Sequence, residues 1–341
     1  MITFLADLHF NNFTPFAKTL KDGTNSRLQN ILDAVRYLIL KGKKGYGSKD
    51  VFIVGDVFDS HRAINVQVLD RVVSLFQSLS KDFNFYFIAG NHDISSSGDG
   101  SCSLMAFSEF ATVITQTEVK RVCGFDFGCI PYTDDVKRVR RDLKHNFNSC
   151  HYIAAHIGLS QGKVGPLHLE IPGHFDVEDL SPDKYEAFFL GHYHGQQTIG
   201  DNIHYIGSPV QHNFGERNNN VGGLVLLGDG EILPLFNEHS PKFVQVDMSD
   251  KSSADTSWRS TDYVKAIVRS KEDADVFKES ANITSLLTVI KATESYEERL
   301  DVSGLSVSDT LRAYMEMQNI PEKDHERYLS VGLDILREVG H

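Results

Sequence analysis

Five short apolar segments, each followed at once by a polar cluster, constrain the fold of this chain more than any other feature of its sequence. They are rich in valine, isoleucine, phenylalanine and tyrosine, which indicates strands that are buried on both faces. The segments are Ile2–Ala6, Val51–Val54, Phe85–Ala89, Tyr152–Ala155 and Ala187–Leu190.

Helical patterns alternate with the first three of these strands. Apolar residues recur at three- and four-residue spacing from Leu28 to Ile39, and again from Val66 to Leu79. This spacing predicts two helices, each with one buried face. The basic, glycine-containing segment 41–45 is interpreted as a solvated loop. The alternation favours a layered α/β domain, in which functional groups gather at the carboxyl ends of strands.

The pattern changes after residue 191. Shorter strands are predicted at 203–206, 223–227 and 231–236, with a hairpin turn at Gly228-Asp229-Gly230. A polar stretch near 247–257 predicts a domain boundary. Beyond it we expect a small β-α-β unit, and then two helices whose starts at Ser306 and Asn319 resemble capping boxes. The predicted domains are 1–245, 246–302 and 303–341.

Composition excludes several classes of protein. Of the 341 residues, 41% are hydrophobic and 23% charged, which excludes a disordered chain and a coiled-coil rod. The net charge of −12 argues against binding nucleic acid through bulk charge alone, although local basic patches or bound cations could do so. Four widely spaced cysteines indicate reduced thiols, and no apolar run reaches the length of a membrane helix. We expect a cytoplasmic protein, in the host cytoplasm if the chain is viral.

Seven side chains that follow the predicted strands could bind metal ions. Their carboxylate oxygens, amide oxygen and imidazole nitrogens suit Mn²⁺, Fe²⁺ or Zn²⁺ better than copper or an iron–sulfur cluster. Seven ligands are too many for one tetrahedral ion and fit two ions about 3.5–4 Å apart, sharing one carboxylate. Two such cations lower the pKa of a shared water and neutralise charge on a phosphoryl group. The seven residues are Asp7, His9, Asp56, Asn91, His156, His192 and His194.

The five polar clusters resemble, in the same order, the motifs of the calcineurin-like metallophosphoesterases. They are Asp7-x-His9, Gly55-Asp56-x-x-Asp59, Gly90-Asn91-His92-Asp93, a strand-end His156, and Gly191-His192-x-His194. The resemblance covers residues 1 to about 195. It implies a four-layer α/β/β/α metallophosphoesterase sandwich, which we expect to carry a small α/β capping domain and a C-terminal two-helix tail.

The resemblance also implies a role for each residue. One metal would be held by Asp7, His9, Asp56 and His194, and the other by Asp56, Asn91, His156 and His192. Asp56 would bridge the two ions. His92 would orient the phosphate or protonate the leaving oxygen. The implied cofactors are two divalent ions, manganese foremost, with magnesium, iron or zinc as alternatives.

Two further features resemble the SbcD-type DNA double-strand-break repair nucleases, including short bacteriophage members. They are Asp56-Val57-Phe58-Asp59-Ser60, and Tyr205-Ile206-Gly207-Ser208-Pro209 followed by Phe214-Gly215-Glu216. This resemblance implies a manganese-dependent exonuclease and endonuclease that acts on double-stranded DNA ends and single strands. It implies a homodimer, and an SMC-like ATPase of SbcC type bound by the C-terminal helices.

Several alternatives stay open. Asp59, Arg62 and Ser208 are candidates either for substrate contact or for hydrogen bonds to metal ligands. The basic run 137–145 fits a phosphate-binding surface or a solvated helix face equally well. A stand-alone phosphomonoesterase or cyclic-nucleotide phosphodiesterase would use the same metal site. An inactive scaffold is the third possibility, and the complete ligand set argues against it.

Overall fold

The computed structural model describes two compact units, Met1–Lys291 and Ala292–His341. The described residues are 1–60, 62–95, 100–165, 167, 169–170, 173–247, 258–280, 285–290, 306–318 and 320–338. The predicted boundary near 247–257 lies almost wholly outside them, so the domain limits at 245 and 302 stay predictions.

The elements of the chain alternate between strands and α-helices up to β3. The strands are β1 (Ile2–Leu5), β2 (Asp50–Val54), β3 (Asn84–Ile88), β4 (Thr112–Ile114), β5 (Glu118–Val122), β6 (Phe125–Ile130), β7 (Tyr152–His156), β8 (Lys163–Val164), β9 (Leu169–Glu170), β10 (Ala187–Gly191), β11 (Gln197–Ile199), β12 (Ile203–Tyr205), β13 (Gly222–Leu226), β14 (Ile232–Phe236), β15 (Phe243–Asp247), β16 (Tyr263–Val268) and β17 (Ser285–Ile290). The α-helices are α1 (Ser26–Tyr46), α2 (Val66–Leu79), α3 (Val136–His145), α4 (Val177–Leu180), α5 (Lys271–Ser280), α6 (Val307–Met317) and α7 (Glu322–Glu338).

Two six-stranded sheets form the centre of the first unit. The first has the order β14-β13-β1-β2-β3-β4, and β1 to β4 are parallel. The second has the order β11-β12-β10-β7-β6-β5, and its four central strands are parallel. The predicted hairpin at 228–230 joins β13 to β14 in antiparallel register. The five strands predicted from apolar segments are all present, to within one residue at each end.

An aromatic cluster packs between the sheets. Phe4 of β1 stacks on Phe189 of β10 with ring centroids 3.9 Å apart, and Phe52 of β2 lies 5.1 Å from Phe127 of β6. Because strand side chains alternate in direction, the neighbouring Leu5 points to the other face and packs with α1 and α2. The strands are therefore buried on both faces, as their composition predicts.

Helices cover the outer faces of both sheets. Apolar residues of α1 and α2 pack on the first sheet, and those of α3 and α4 pack on the second. The order of layers is helix, sheet, sheet, helix. The predicted four-layer α/β/β/α sandwich is confirmed.

Helix α1 is longer than predicted, and the interpretation of 41–45 as a loop is wrong. The helix begins after Asn25, whose side chain accepts from the Leu28 amide, and ends only at Gly47, where φ is +73°. Gly42 lies within the helix because α1 crosses β1 there. A methyl group at Gly42 would lie 2.4 Å from Oγ1 of Thr3. This glycine marks a close approach of backbone to a strand and does not end the helix.

A small three-stranded parallel sheet follows, with the order β15-β16-β17. Helix α5 packs on it through Ala274 and Phe277. The predicted β-α-β unit is confirmed, and β15 extends it by one strand. Arg27 of α1 faces this sheet, since its guanidinium carbon lies 5.2 Å and 5.5 Å from the ring centroids of Phe243 and Tyr263.

The second unit contains the two predicted tail helices. Ser306 caps α6 by accepting a hydrogen bond from the amide of Asp309, whereas Asn319 lies outside the described residues. Tyr314 and Tyr328 are about half exposed, whereas Met315 is buried. Within the described part of the chain, no helix is both long and apolar enough to cross a membrane.

Candidate metal centre

The candidate metal ligands converge because parallel strands from both sheets end at one edge of the sandwich. In the first sheet Leu5 is paired with Ile53, and Val54 with Ile88. In the second, His156 of β7 is paired with Gly191 of β10. The polar residues that follow these positions therefore meet above the sheet edges, as the strand-end pattern predicts.

Asp56 lies between two sets of candidate ligands. Its Oδ2 atom is 3.6 Å from Nε2 of His9 and 3.4 Å from Nε2 of His156. These two histidines come from different sheets and belong to the two different metal positions implied by the resemblance. Asp56 therefore has the location that a bridging carboxylate requires.

The first set gathers around Asp7. The ligand atoms of Asp7, His9 and His194 all lie within 4.8 Å of one another. The two Nε2 atoms of His9 and His194 are 3.0 Å apart. Asp7 and His9 are buried, so the set faces solvent mainly through His194.

The second set gathers around Asn91. Its side-chain oxygen lies 3.0 Å from Nε2 of His156 and 3.3 Å from Nδ1 of His192. Asp7, Asp56 and His156 also form a cluster with ligand atoms within 4.8 Å of one another. All seven residues predicted as ligands are thus brought into one centre, with Asp7 and Asp56 reaching both sets.

The chemistry of this donor set fits divalent cations. Nδ1 of His156 lies 2.9 Å from the carbonyl oxygen of Val54, so we assign the proton of the neutral ring to Nδ1. Its Nε2 then carries a lone pair that faces the oxygens of Asp56 and Asn91. Lone pairs converging in this way repel one another unless a cation lies among them. The residues therefore fit the dinuclear metal centre that the resemblance implies.

The electrostatics of the site also favour positive charge. Burial would lower the pKa of His156, but the Asp56 carboxylate overrides it and raises that pKa to about 9. Burial likewise opposes the charged form of His194, whose hydrogen bond to Glu216 raises its pKa to about 9. Protons are drawn to the positions where metal ions would bind, and metal binding must displace them.

Four of the candidate ligands have left-handed backbone conformations. The φ angles are +53° at Asp7, +46° at His9, +54° at Asp56 and +103° at His192. Such conformations are costly for residues other than glycine and persist only where neighbouring structure enforces them. Here the amide of Asp7 donates to Gly55, that of His9 donates to Asp56, and that of His192 donates to the Asp7 carboxylate. The fold itself holds the ligands in place.

Asp93 is a supporting residue to which sequence analysis assigned no role. One of its carboxylate oxygens accepts from the amides of Val57 and Phe58, and the other accepts from Gly90. It thereby joins the loop of Asp56 to the loop of Asn91. Burial and the nearby Asp56 charge raise the pKa of Asp93 to about 7. Its position in the Gly-Asn-His-Asp motif was the only available signal.

His92 lies at the solvent-facing side of the centre, with 27% of its side chain exposed. Its Nδ1 is 2.7 Å from the carbonyl oxygen of Asp59, and its amide donates to Oδ1 of Asp56. With the proton on Nδ1, its Nε2 faces the centre at 4.0 Å from Oδ2 of Asp56. Its ligand atom lies within 4.8 Å of those of His9 and Asp56, so His92 is near enough to the metal positions either to ligate an ion or to contact a substrate bound there.

The three candidates for substrate contact lie in different settings. Asp59 accepts from Asn11, and its carboxylate approaches Nδ1 of His9 at 3.3 Å, at an angle outside hydrogen-bond geometry. Ser208 is fully buried, and its hydroxyl donates to the carbonyl oxygen of Asp7. Ser208 therefore supports a metal ligand, whereas Asp59 lies beside His9 without a hydrogen bond to it. Only Arg62 is exposed, where it lines a cavity of about 260 Å³ together with His92.

The basic run predicted at 137–145 forms helix α3, in the outer layer of the second sheet. Arg140 is paired with Asp179, and Arg138 donates to Thr117. Other cations of the run, including Lys137 and Lys144, are exposed.

Two residues of the loop after β12 also support the centre. Glu216 contacts Nδ1 of His194 at 3.0 Å. Burial would raise the pKa of Glu216, but this hydrogen bond overrides the effect and lowers that pKa to about 2. His212 is buried, and its Nε2 lies 3.2 Å from the carbonyl oxygen of Asp7. Burial lowers the pKa of His212 to about 3, so its ring is neutral. Glu216 stands in the Phe-x-Glu element of the sequence, but its contact with His194 could not be predicted from spacing. A cavity of about 410 Å³ lies beside His192, His194 and Glu216.

Comparisons with known proteins agree with this geometry. Residues 1–242 match the family described as "Calcineurin-like phosphoesterase". The chain is 26% identical over 196 residues to "Putative phosphoesterase 244L" of Invertebrate iridescent virus 6, covering 54% of the chain and 66% of the relative. It is 22% identical over 301 residues to "Putative phosphoesterase 078R" of Invertebrate iridescent virus 3, covering 84% of the chain and 81% of the relative.

Two solved structures show weaker similarity. A nuclease MPE of Pseudomonas putida is 14% identical with a TM-score of 0.28, covering 60% of this chain and 66% of that chain. A dimetal phosphatase of Danio rerio is 14% identical with a TM-score of 0.33, covering 60% of this chain and 85% of that chain. The identification rests on the family match, which spans more than half of the chain and every candidate ligand. This chain belongs to the calcineurin-like phosphoesterase family.

Proposed function

We propose that this phosphoesterase is a metal-dependent DNA nuclease that hydrolyses phosphodiester bonds as one subunit of a DNA end-processing complex. The observation that carries the hydrolytic part is the position of Asp56, with Oδ2 within 3.6 Å of histidines from both sheets. When bound, two divalent ions supply a water of lowered pKa and neutralise charge on the phosphoryl oxygens.

Seven residues of the chain would bind the two ions, and His92 would act on the substrate. Asp7, His9, Asp56 and His194 would hold one ion, and Asp56, Asn91, His156 and His192 the other. His92 would contact the substrate, since its Nδ1 proton is held by the Asp59 carbonyl while Nε2 faces the centre. From that position Nε2 can bind the phosphate or pass a proton to the leaving oxygen.

The choice of DNA as substrate is supported by the elements that resemble SbcD-type nucleases. The residues of these elements contribute directly to the centre, because Ser208 holds the backbone of Asp7 and Glu216 contacts His194. The net charge of −12 is unfavourable for binding DNA and must be offset locally at this site. Two bound divalent ions would add four positive charges where the backbone phosphate must lie, next to the exposed Arg62.

The proposed partner is an SMC-like ATPase bound by the tail helices. Tyr314, Tyr328 and Val331 are each more than half exposed, which leaves apolar surface on α6 and α7. Every proposed ligand and His92 precede residue 195, so this surface is separate in sequence from the chemistry.

The test is hydrolysis by the purified full chain with Mn²⁺, using linear duplex DNA, a small phosphodiester and a phosphomonoester in parallel. We expect cleavage of DNA and of the phosphodiester, and none with Asp56→Asn protein. The matched control is Asp201→Asn, which changes an exposed carboxylate in the turn between β11 and β12. Hydrolysis of the phosphomonoester with no cleavage of DNA would instead identify a stand-alone phosphatase.

A further inference from the structure

Glu216 is a buried carboxylate that three hydrogen-bond donors contact. Its Oε1 lies 3.0 Å from Nδ1 of His194 and accepts from the side-chain amide of Asn213 at 2.8 Å. Its Oε2 accepts from the backbone amide of His212 at 2.8 Å. A carboxylate can accept all three hydrogen bonds, whereas an amide of the same shape offers only one acceptor atom.

The contact with His194 determines how that ring faces the metal centre. Because Nδ1 donates to Glu216, the lone pair of the neutral ring is on Nε2, which lies 3.0 Å from Nε2 of His9. A histidine that binds a metal through one nitrogen commonly donates its other N–H to a carboxylate, which fixes the tautomer and the ring orientation.

The loop that carries Glu216 is itself fixed on both sides. Towards the centre, the amide of Ser208 donates to the carbonyl of His194, and its hydroxyl donates to the carbonyl of Asp7. On the far side, the Arg27 guanidinium donates to the carbonyl of His212 at 2.6 Å. Glu216 is therefore held at a defined position relative to His194 by contacts that do not depend on a bound ion.

We propose that Glu216 is the positioning residue for His194: it keeps the proton of that ring on Nδ1 and directs Nε2 to one of the two metal ions. It acts through His194 and not on the substrate. The inference rests on the metal centre of the proposed function. It is independent of whether the substrate is DNA.

The test is Mn²⁺ binding to full-length Glu216→Gln protein, measured by calorimetry and by electron paramagnetic resonance. We expect affinity at one of the two ion positions to fall by about 10- to 100-fold, the usual effect of removing a carboxylate that supports a metal-binding histidine. The other position should keep its affinity. Glu231→Gln is the matched control, since it removes an exposed carboxylate near the end of the β13–β14 hairpin. No DNA is present, so a failed nuclease assay leaves this result unaffected.

Two further measurements separate positioning from a loosened loop. In wild-type protein loaded with diamagnetic Zn²⁺, which displaces the second ring proton, the nitrogen NMR spectrum of His194 should show protonation at Nδ1, and in Glu216→Gln a mixture of ring states. Asn213→Ala removes two side-chain hydrogen bonds of the same loop, to Glu216 and from the Gly215 amide, but keeps the carboxylate, and it should bind Mn²⁺ like wild type. The proposal is overturned if Glu216→Gln keeps both affinities and the tautomer, or if Asn213→Ala weakens Mn²⁺ binding equally.

Discussion

Nε2 of His156 lies 3.4 Å from Oδ2 of Asp56, while Nδ1 of the same ring lies 2.9 Å from the carbonyl oxygen of Val54. When the ring is neutral with its proton on Nδ1, as metal binding requires, two groups with lone pairs face each other in a buried site. This arrangement is unfavourable without a cation and favourable with one, and it underlies the first prediction.

Asp56→Ala should abolish hydrolysis and remove metal from both positions, since the carboxylate contributes to both ligand sets. We expect metal content, measured by mass spectrometry after loading with Mn²⁺, to fall from about two ions per chain to less than one. The control variant Asp201→Asn should keep about two metal ions per chain. Retention of two ions by the Asp56→Ala protein would contradict the bridging role.

His92→Ser should keep its metal ions and bind DNA, but cleave it about 10²- to 10⁴-fold more slowly, the usual effect of losing one proton-transfer group. The reason is that Nε2 of His92 faces the centre while its nearest carboxylate oxygen is 4.0 Å away. Single-turnover cleavage with saturating enzyme measures the chemical step. The control is His204→Ser, on the edge strand pair β11–β12. A rate close to wild type would exclude His92 from the reaction.

Gly42→Ala should destabilise the protein, although the same change normally stabilises a helix. A methyl group at Gly42 would lie 2.4 Å from Oγ1 of Thr3, which donates to Ser48 and cannot easily move. We expect a loss of about 1–3 kcal/mol in the free energy of unfolding.

Gly45→Ala on the same helix provides the matched comparison. Nothing lies within 4 Å of its added methyl group. Because alanine has a higher helix propensity than glycine, the variant should gain about 1 kcal/mol in the free energy of unfolding. Urea denaturation of both variants measures the difference. Equal effects of the same sign would show that the contact with Thr3 is not what makes Gly42 necessary.

Replacing exposed apolar residues of the tail should prevent binding of the proposed SMC-like ATPase without affecting hydrolysis. Tyr328→Glu combined with Val331→Glu should abolish ATP-dependent DNA processing and co-purification with the ATPase, while Mn²⁺-dependent cleavage of short substrates stays within about twofold of wild type. Lys323→Glu changes charge at an exposed position of the same helix and should have no effect. If the double variant unfolds, these side chains belong to the packing of the tail.

Much of the fold could be predicted because the central strands are buried on both faces and are therefore apolar throughout. The edge strand β5 was not predicted, since Glu118, Lys120 and Arg121 leave no clear alternation of apolar and polar residues along it. The length of α1 was missed because Gly42 resembles a helix end, and only the crossing with Thr3 explains why glycine is there.

The candidate ligands could be predicted for a different reason. They follow parallel strands, so the order of the chain already places them at one edge. The supporting residues could not, because the contact of Glu216 with His194 joins a loop to a strand end, and that of Ser208 with Asp7 spans 201 positions. Such contacts depend on the conformation of the loops, and loop conformation produces no regular spacing of residues in the sequence.

The left-handed conformations of Asp7, His9, Asp56 and His192 have a consequence for how this protein can change over time. Each costs about 1–3 kcal/mol that a glycine at the same position would largely avoid. Selection for heat resistance alone would therefore favour replacement of these four residues, and the metal centre would be among the first features to disappear. Enrichment for thermostable variants must be coupled to an activity screen, because relieving the backbone strain at any of these four positions would also remove a metal ligand.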